Sequence, residues 1–145
     1  MEPLSVRITK LTEGAAMPAK AHEDDAGYDL FANESLVIPS GESRLVPTGV
    51  ALALPPMTEA QIRPRSGLAL HNQVTVLNAP GTIDAGYRGE IGVILINHGK
   101  QEFTVSKGMK IAQMVFASLL EVRLVEVASL DQTPRGDGGF GSTGQ

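Results

Sequence analysis

The sequence predicts an all-β fold, a barrel or a jelly-roll-like sandwich, with one short helix and a flexible C-terminal arm. Three observations support this prediction. About ten short runs with apolar or alternating side chains follow one another at regular spacing. Sixteen glycines and nine prolines separate these runs and indicate many tight turns. A length of 145 residues fits one domain with a core of its own.

The elements of the N-terminal half follow from local patterns. Residues 4–9 alternate apolar and polar side chains, which is the period of a strand. Residues 12–25 are small and polar, include Gly14 and Pro18, and predict a loop. Four further strands are predicted, and the last three of them are each followed by a proline: residues 28–31, 36–38, 44–54 and 58–63.

The C-terminal half contains the one helix candidate, residues 66–72, for which Ser66 is the predicted N-cap. Residues 131–145 are too rich in glycine to pack alone. The prediction is therefore one domain over residues 1–130, followed by an arm over residues 131–145. The remaining predicted strands are residues 74–77, 91–96, 103–105, 111–117 and 122–127.

Composition excludes several classes of function. A net charge of −4 without a block of Lys or Arg argues against nucleic-acid binding, but it leaves a small phosphorylated ligand open. With no cysteine there can be no disulfide, thiolate metal site or cysteine nucleophile. The sequence shows neither an apolar run of membrane-spanning length nor a signal or transit peptide at its N-terminus. We therefore expect a cytoplasmic protein without a membrane partner.

Residues 78–90 are the stretch with the clearest chemical potential. One proline and three glycines predict a tight, kinked hairpin, with Asp84 near its tip and Tyr87 three residues later. A rigid turn that presents a carboxylate, a ring and free backbone amides can form a reactive pocket. An isolated Asp-Ala-Gly more often only makes a turn, because Asp and Gly dominate turns for conformational reasons.

Three other segments carry candidate ligand-binding groups, each with a plain structural alternative. Arg65 and Ser66 at the start of the helix could bind an anion, or could be a surface charge and a cap. Asp29 could be functional, although a local backbone hydrogen bond is the more common role of such an Asp. Gln113 lies in an apolar strand and needs partners, which a structural network inside an oligomer would also supply.

The glycine-rich tail carries an unusual set of side chains for a flexible segment. Phe140 could stack on a ring, while Arg135, Ser142 and Thr143 could hold phosphate oxygens. The amides of the glycines could form an anion-binding nest. The alternative is a mobile tail without a ligand.

Five segments in this order resemble the trimeric dUTPases, the deoxyuridine 5′-triphosphate nucleotidohydrolases. Each segment alone is a weak signal, but all five together, with Tyr87 and Phe140 in place, are highly specific and span almost the whole chain. The resemblance implies a distorted, jelly-roll-like β-barrel that assembles as a homotrimer. It also implies active sites shared between subunits, with the arm of one chain covering the pocket of others. The segments are residues 26–30, 64–69, 78–90, 108–114 and 135–144.

The resemblance further implies hydrolysis of dUTP to dUMP and pyrophosphate with Mg²⁺. Asp84 matches the carboxylate that orients and deprotonates the attacking water, and Tyr87 matches the ring packed on the deoxyribose. Asn78 matches a uracil contact, and Asp29 matches a carboxylate that reaches a phosphate-bound metal through water. The other implied substrate-binding residues are Thr82 and Ile83 of the hairpin, Arg65, Ser66, Gly67 and Gln113 at the phosphates, and Arg135, Phe140, Gly141, Ser142 and Thr143 of the arm.

Two alternatives remain. The related dCTP deaminases share the fold and the Ile-Asp-x-Gly pattern, but they use a glutamate on the strand that leaves the hairpin. The corresponding residue here is Ile94, which cannot transfer a proton. A non-enzymatic, trimeric jelly-roll binding protein would not require Asp84, Gln113 and an Arg- and Phe-bearing tail together. A dUTPase would keep uracil out of DNA and supply dUMP for dTMP synthesis.

Overall fold

The computed structural model describes residues 2–144, so that Met1 and the last residue of the predicted arm, Gln145, lie outside the described residues. Within this range the chain forms ten strands and one helix. The helix has seven residues, and no helix of the described chain is long and apolar enough to cross a membrane. The elements are β1 Arg7–Lys10, β2 Tyr28–Phe31, β3 Leu36–Ile38, β4 Ser43–Ala53, β5 Thr58–Arg63, α1 Ser66–Asn72, β6 Val74–Val76, β7 Gly81–Ile83, β8 Glu90–Asn97, β9 Phe103–Val105 and β10 Lys110–Ser118.

The strands form three antiparallel sheets around one core. The sheet orders are β1-β4-β8-β6, β2-β10-β5-β7 and β3-β9. Strand β8 shows how the core is built, since Ile91, Val93 and Leu95 alternate inward and are buried while their neighbours face outward. Buried side chains from all three sheets join in one hydrophobic cluster. The predicted all-β, jelly-roll-like fold is confirmed, and in the described chain the sheets do not close into a complete barrel.

Most predicted elements agree with the structure. Residues 28–31, 36–38, 58–63 and 103–105 form strands with the predicted bounds, and the helix covers residues 66–72 as predicted. Strand β6 differs from prediction by one residue at one end, and β4, β8 and β10 differ by one residue at both ends. The first strand begins at Arg7, later than predicted, so only the second half of its alternating run is paired.

The predicted strand over residues 122–127 is wrong. In the part of the chain that the structure describes, these residues pair with no strand, and Leu124 is 93% exposed. A strand is stable only when a neighbour pairs its backbone and covers its side chains, and the single chain supplies neither here. The exposed aliphatic side chains of this C-terminal segment are Leu119, Leu120, Val122, Leu124, Val125, Val127 and Leu130.

The predicted N-cap is also wrong. Arg65 occupies the cap position with an extended backbone, and its carbonyl accepts the Ala69 amide at 3.1 Å. Ser66 is therefore already inside the helix. Within residues 2–144 no side chain caps the first turn, which leaves the Ser66 hydroxyl without the capping role.

Residues 78–90 are not a simple hairpin. Strands β6 and β8 pair directly, and the Leu77 amide continues that ladder to the Ile94 carbonyl at 2.8 Å. The residues between them leave this sheet, and β7 pairs with β5 of the second sheet. The two strands approach closely at Gly81, where an added Cβ would lie 3.3 Å from the Ile62 Cβ. The stretch thus bridges two sheets and places Asp84 directly after β7.

Asn97 is a fully buried polar residue that organises the β8–β9 connection. Its Nδ2 donates to the carbonyls of Ile38 at 3.0 Å and Gln101 at 2.8 Å, and its Oδ1 accepts the Gly99 amide at 2.9 Å. A buried polar group that loses a partner is destabilising, and Ala in place of Asn97 would remove one hydrogen-bond partner from each of three backbone groups.

We therefore expect Asn97→Ala to lower the free energy of unfolding by about 3 kcal/mol. Urea denaturation at fixed protein concentration measures this difference. His98→Ala, at the exposed neighbouring position, is the control and should change stability by less than about 0.5 kcal/mol. Equal stability of the two variants would contradict the structural role of the buried amide.

Candidate active site

The predicted residues of the hairpin line one cavity of about 220 Å³, termed here the nucleoside pocket. β7 and the turn that follows it supply one wall, and β8 supplies the other. The polar and apolar lining is mixed, as is usual for a small-molecule site. The lining includes the predicted residues Asn78, Thr82, Ile83, Asp84 and Tyr87, together with Ile62, Val76, Gly81, Glu90, Ile91, Gly92 and Ile94.

The turn after β7 fixes the two residues that carry most of the predicted chemistry. The Tyr87 amide donates to the Asp84 carbonyl at 3.1 Å, which closes the turn. The Tyr87 hydroxyl donates to the Glu90 carbonyl at 2.9 Å and holds the ring against Gly89. An added Cβ on Gly89 would overlap that ring. Asp84 is exposed at the cavity, so its carboxylate can meet a ligand and a water.

Glu90 is a pocket residue that the sequence analysis missed. Its Oε2 accepts the Gly49 amide at 2.8 Å, and Gly49 is a buried residue with a φ of +74°. Glu90 thereby connects the Tyr87 turn to the bend in β4. The strand period could have indicated it, because Glu90, Gly92 and Ile94 share one face of β8.

The predicted phosphate-binding residues line a second cavity of about 340 Å³, termed here the phosphate pocket. Sheet order explains their meeting. β10 lies between β2 and β5, and Gln113 pairs with Asp29 on one side and with Arg63 on the other. The chain leaving β5 then carries the start of the helix to the same edge. The pocket is lined by Asp29, Arg65, Ser66, Gly67 and Gln113 as predicted, and by Ala21, Asp25, Ala26, Gly27 and Lys110.

Charges in the phosphate pocket centre on Asp29, whose side chain is 17% exposed. Its Oδ2 lies 3.2 Å from the Lys110 Nζ, and its Oδ1 lies 3.8 Å from the Arg65 Nε. Two cations therefore lie beside this carboxylate, and their remaining donor hydrogens can bind an anionic ligand. Lys110 is a second pocket residue that sequence reasoning missed.

Gln113 joins three of the five segments. Its Nε2 donates to the Pro64 carbonyl at 3.0 Å, next to Arg65. Its Oε1 lies against Gly27, where an added Cβ would overlap it. The amide group therefore finds a partner within its own chain, and Gln113 lines the pocket.

Comparison with known proteins identifies the family. The dUTPase family model matches residues 13–144. A deoxyuridine 5′-triphosphate nucleotidohydrolase of Gloeothece citriformis is 64% identical over 141 residues, which cover 97% of each chain. Another, from Clostridium tetani, is 58% identical over 145 residues and the full length of both chains. The chain belongs to the dUTPase family. The predicted resemblance is confirmed.

Solved dUTPases share the fold of this dUTPase-family chain. The dUTPase of Staphylococcus bacteriophage 80alpha, solved with dUpNHpp, has a TM-score of 0.89 at 27% identity and covers 97% of this chain and 99% of that one. A variant dUTPase from phage phi11 of S. aureus, whose structure reveals the coordination of a structural Mg(II) ion, has a TM-score of 0.81 at 26% identity. It covers 87% of this chain and 98% of that one.

The acidic residues of this dUTPase-family chain do not form a metal cage. Among residues 2–144, no three or more His, Asp or Glu side chains are grouped so that they could hold an ion. Mg²⁺ commonly keeps several waters and takes one or two carboxylates together with substrate phosphates. Asp29 in the phosphate pocket fits that pattern, because it offers one carboxylate beside groups suited to phosphate.

The arm of this dUTPase-family chain lies apart from both pockets. Of its residues that the structure describes, none lines either cavity, and Phe140 is fully exposed. The hydrogen bonds of these described arm residues are local, and one of them runs from the Arg135 Nε to the Gly138 carbonyl at 2.9 Å. The single chain therefore does not bring Arg135, Phe140, Gly141, Ser142 and Thr143 together with the other predicted site residues.

Proposed function

We propose that this chain hydrolyses dUTP to dUMP and pyrophosphate. The proposal rests mainly on the nucleoside pocket, in which Asp84 and Tyr87 lie on one turn next to the hairpin backbone. The relatives at 58–64% identity over nearly the whole chain carry the name of this activity. The enzyme is thus a dUTP diphosphatase that acts on a free nucleotide.

In the proposed reaction, Asp84 orients one water and accepts its proton as the water oxygen attacks the α-phosphorus. The new bond forms in line with the bond to the oxygen that bridges the α- and β-phosphates. That bridging bond breaks, and pyrophosphate leaves with its electron pair. An exposed carboxylate at the cavity wall suits this role, since it can reach both a ligand and a water.

The phosphate pocket supplies hydrogen-bond donors for the phosphates, one of them a guanidinium. Arg65, with the Ser66 hydroxyl and the Gly67 amide, would hold phosphate oxygens, and Gln113 would add one polar contact. Bound Mg²⁺ would neutralise negative charge that develops on the phosphates. Asp29 would orient a water bound to that ion, while the substrate phosphates would be its main ligands.

Selectivity follows from the walls of the nucleoside pocket. Asn78 and the backbone around Thr82 and Ile83 would pair with the edge of uracil, and cytosine would leave those groups mispaired. A hairpin wall close to C5 would exclude the methyl group of thymine. Tyr87, packed flat on the sugar, leaves no room for a ribose 2′-hydroxyl.

Gly89→Ala should weaken this sugar contact, because the added methyl group overlaps the Tyr87 ring and forces it outward. We expect KM for dUTP to rise roughly tenfold and the preference for dUTP over UTP to fall. Steady-state kinetics on both nucleotides measures this. Gly86→Ala is the matched control in the same turn, since among the described residues its Cβ would meet nothing within 4 Å. The same kinetics for both variants would refute the role of the ring.

The proposed assembly is a homotrimer with shared active sites. Two apolar surfaces of the single chain support self-association. One is the exposed aliphatic segment over residues 119–130. The other is an apolar groove of about 440 Å³. The groove is lined by Leu4, Val6, Ile8, Met17, Pro18, Tyr28, Leu52, Met114 and Phe116.

The two pockets are separate in the single chain, and the described arm residues line neither of them. This arrangement supports a site completed by other subunits, with residues 1–130 as the domain and residues 131–145 as the covering arm.

The experiment that tests the function is pyrophosphate release from dUTP, dCTP, dTTP and UTP with Mg²⁺. Release from dUTP alone is the expected result. Ammonia release from dCTP would instead indicate a deaminase, which the pocket disfavours because Ile94 lines it and the Glu90 carboxylate accepts the Gly49 amide. No turnover of any nucleotide would indicate a binding protein. A role in keeping uracil out of DNA and supplying dUMP, and a cytoplasmic location, stay predictions.

A further inference from the structure

Lys110 lies in the phosphate pocket, although the strand pattern suggested no role for it. Its Nζ is 3.2 Å from the Asp29 Oδ2, and its side chain is 43% exposed. Among the described residues the ammonium group has this one acidic partner, and Lys110 lines the cavity. A lysine ammonium has three donor hydrogens, so it can keep one contact with Asp29 and bind a second anion.

A bulge in β10 is what turns Lys110 toward the pocket. Residues three apart in a regular strand lie on opposite faces, so Lys110 and Gln113 should point in opposite directions. The pairing with β2 shifts between Lys110 and Ala112, where two steps of β10 match one step of β2. Both Ile111 and Ala112 are buried as a result, and Lys110 lines the same pocket as Gln113. Bulges near active sites commonly redirect a side chain in this way.

The charged residues that line the phosphate pocket indicate why the position of Lys110 matters. A nucleoside triphosphate carries close to four negative charges, and Arg65 is the other cation that lines the pocket in the described chain. Asp29 and Asp25 also line it, and they offset the two cations before a ligand binds. The Asp25 Oδ2 accepts the His22 amide at 2.9 Å, so that carboxylate is partly engaged by its own loop. Without Lys110 the lining would hold one cation against two carboxylates, a formal charge of −1 that would repel a triphosphate.

We propose that Lys110 is a further phosphate-binding residue, paired with Asp29 in the free protein and shared with the triphosphate in the complex. The inference rests on the proposed function, because it assigns a substrate contact of the same site. The plain alternative is a surface ion pair between Lys110 and Asp29 that has no contact with the ligand.

The test compares dissociation constants for deoxyuridine, dUMP and dUpNHpp by calorimetry, with Mg²⁺ present. Lys110→Met removes the charge and keeps much of the chain length. Lys107→Met, an exposed lysine outside the phosphate pocket as the structure describes it, is the control with the same change in net charge. We expect Lys110→Met to weaken dUpNHpp binding about tenfold, with no change for deoxyuridine, and Lys110→Arg to restore binding to within about threefold.

The outcomes separate the inference from the function on which it rests. A Lys110→Met protein that binds dUpNHpp as tightly as the Lys107→Met control would overturn the role of Lys110. A loss of equal size for deoxyuridine would also overturn it, since the effect would not depend on phosphate. If Lys110→Met unfolds at lower urea than wild type, Lys110→Gln replaces it in the same comparison. If wild type binds no dUpNHpp, the proposed function fails.

Discussion

Replacement of Asp84 by Asn should lower kcat for dUTP by about 10²- to 10⁴-fold, the usual effect of losing a positioned general base. An amide keeps the size and most hydrogen bonds of the carboxylate, but it cannot accept the proton of the attacking water. Binding should survive, because the base, sugar and phosphate contacts come from other groups of the two pockets. The dissociation constant for dUpNHpp is thus expected to stay within about threefold of wild type.

Three measurements decide this prediction: single-turnover hydrolysis, calorimetric binding of dUpNHpp, and urea unfolding. Asp24→Asn is the control, since Asp24 is an exposed residue that lines neither cavity in the described chain. Near-normal turnover by Asp84→Asn would refute the base assignment. A large loss of dUpNHpp binding in the same variant would show instead that Asp84 supports the pocket wall, which its position directly after β7 would also permit.

Local sequence patterns predicted the bounds of most elements, but they did not predict which strands pair with each other. The helix at Ser66–Asn72 follows Pro64, and β5 alternates regularly, so short-range signals set their bounds. β7 has only three residues and carries no distinct pattern. β7 pairs with β5, and Ile83 and Ile62 are both buried in the paired strands. These strands are far apart in the sequence, so a short stretch of sequence does not reveal their pairing.

The residues 122–127 show the opposite failure. Their apolar side chains favour a strand, but a strand forms only beside a pairing partner, and the described chain does not provide one. The predicted site residues divide in the same way, into those that the sequence indicates and those that only the fold reveals. Residue types and order indicated Asp84, Tyr87 and Gln113, whereas Lys110 depended on a one-residue bulge that the apolar run around Ile111 does not reveal.

Deletion of residues 135–145 should lower kcat/KM for dUTP by about 100-fold or more. Within its described residues the arm makes local hydrogen bonds and exposes Phe140, so the fold and the proposed trimer should be unchanged. Activity should fall because Arg135, Phe140 and Ser142 would no longer cover uracil and the terminal phosphates. Kinetics, light scattering and urea unfolding check these points. Asp137→Ala, within the arm but outside the predicted contacts, is the control. A truncated chain with normal turnover would disprove the covering role.

Mixing two inactive variants then tests whether the arm acts on another subunit. The chain shortened after residue 134 keeps Asp84, and full-length Asp84→Asn keeps the arm. If the arm serves its own chain, a refolded mixture can contain no complete site and should be as inactive as its components. If the arm covers a pocket of a neighbouring subunit, mixed assemblies pair an intact Asp84 with an intact arm. We expect such mixtures to regain a substantial fraction of wild-type activity, because the pockets and the arm lie apart in the single chain.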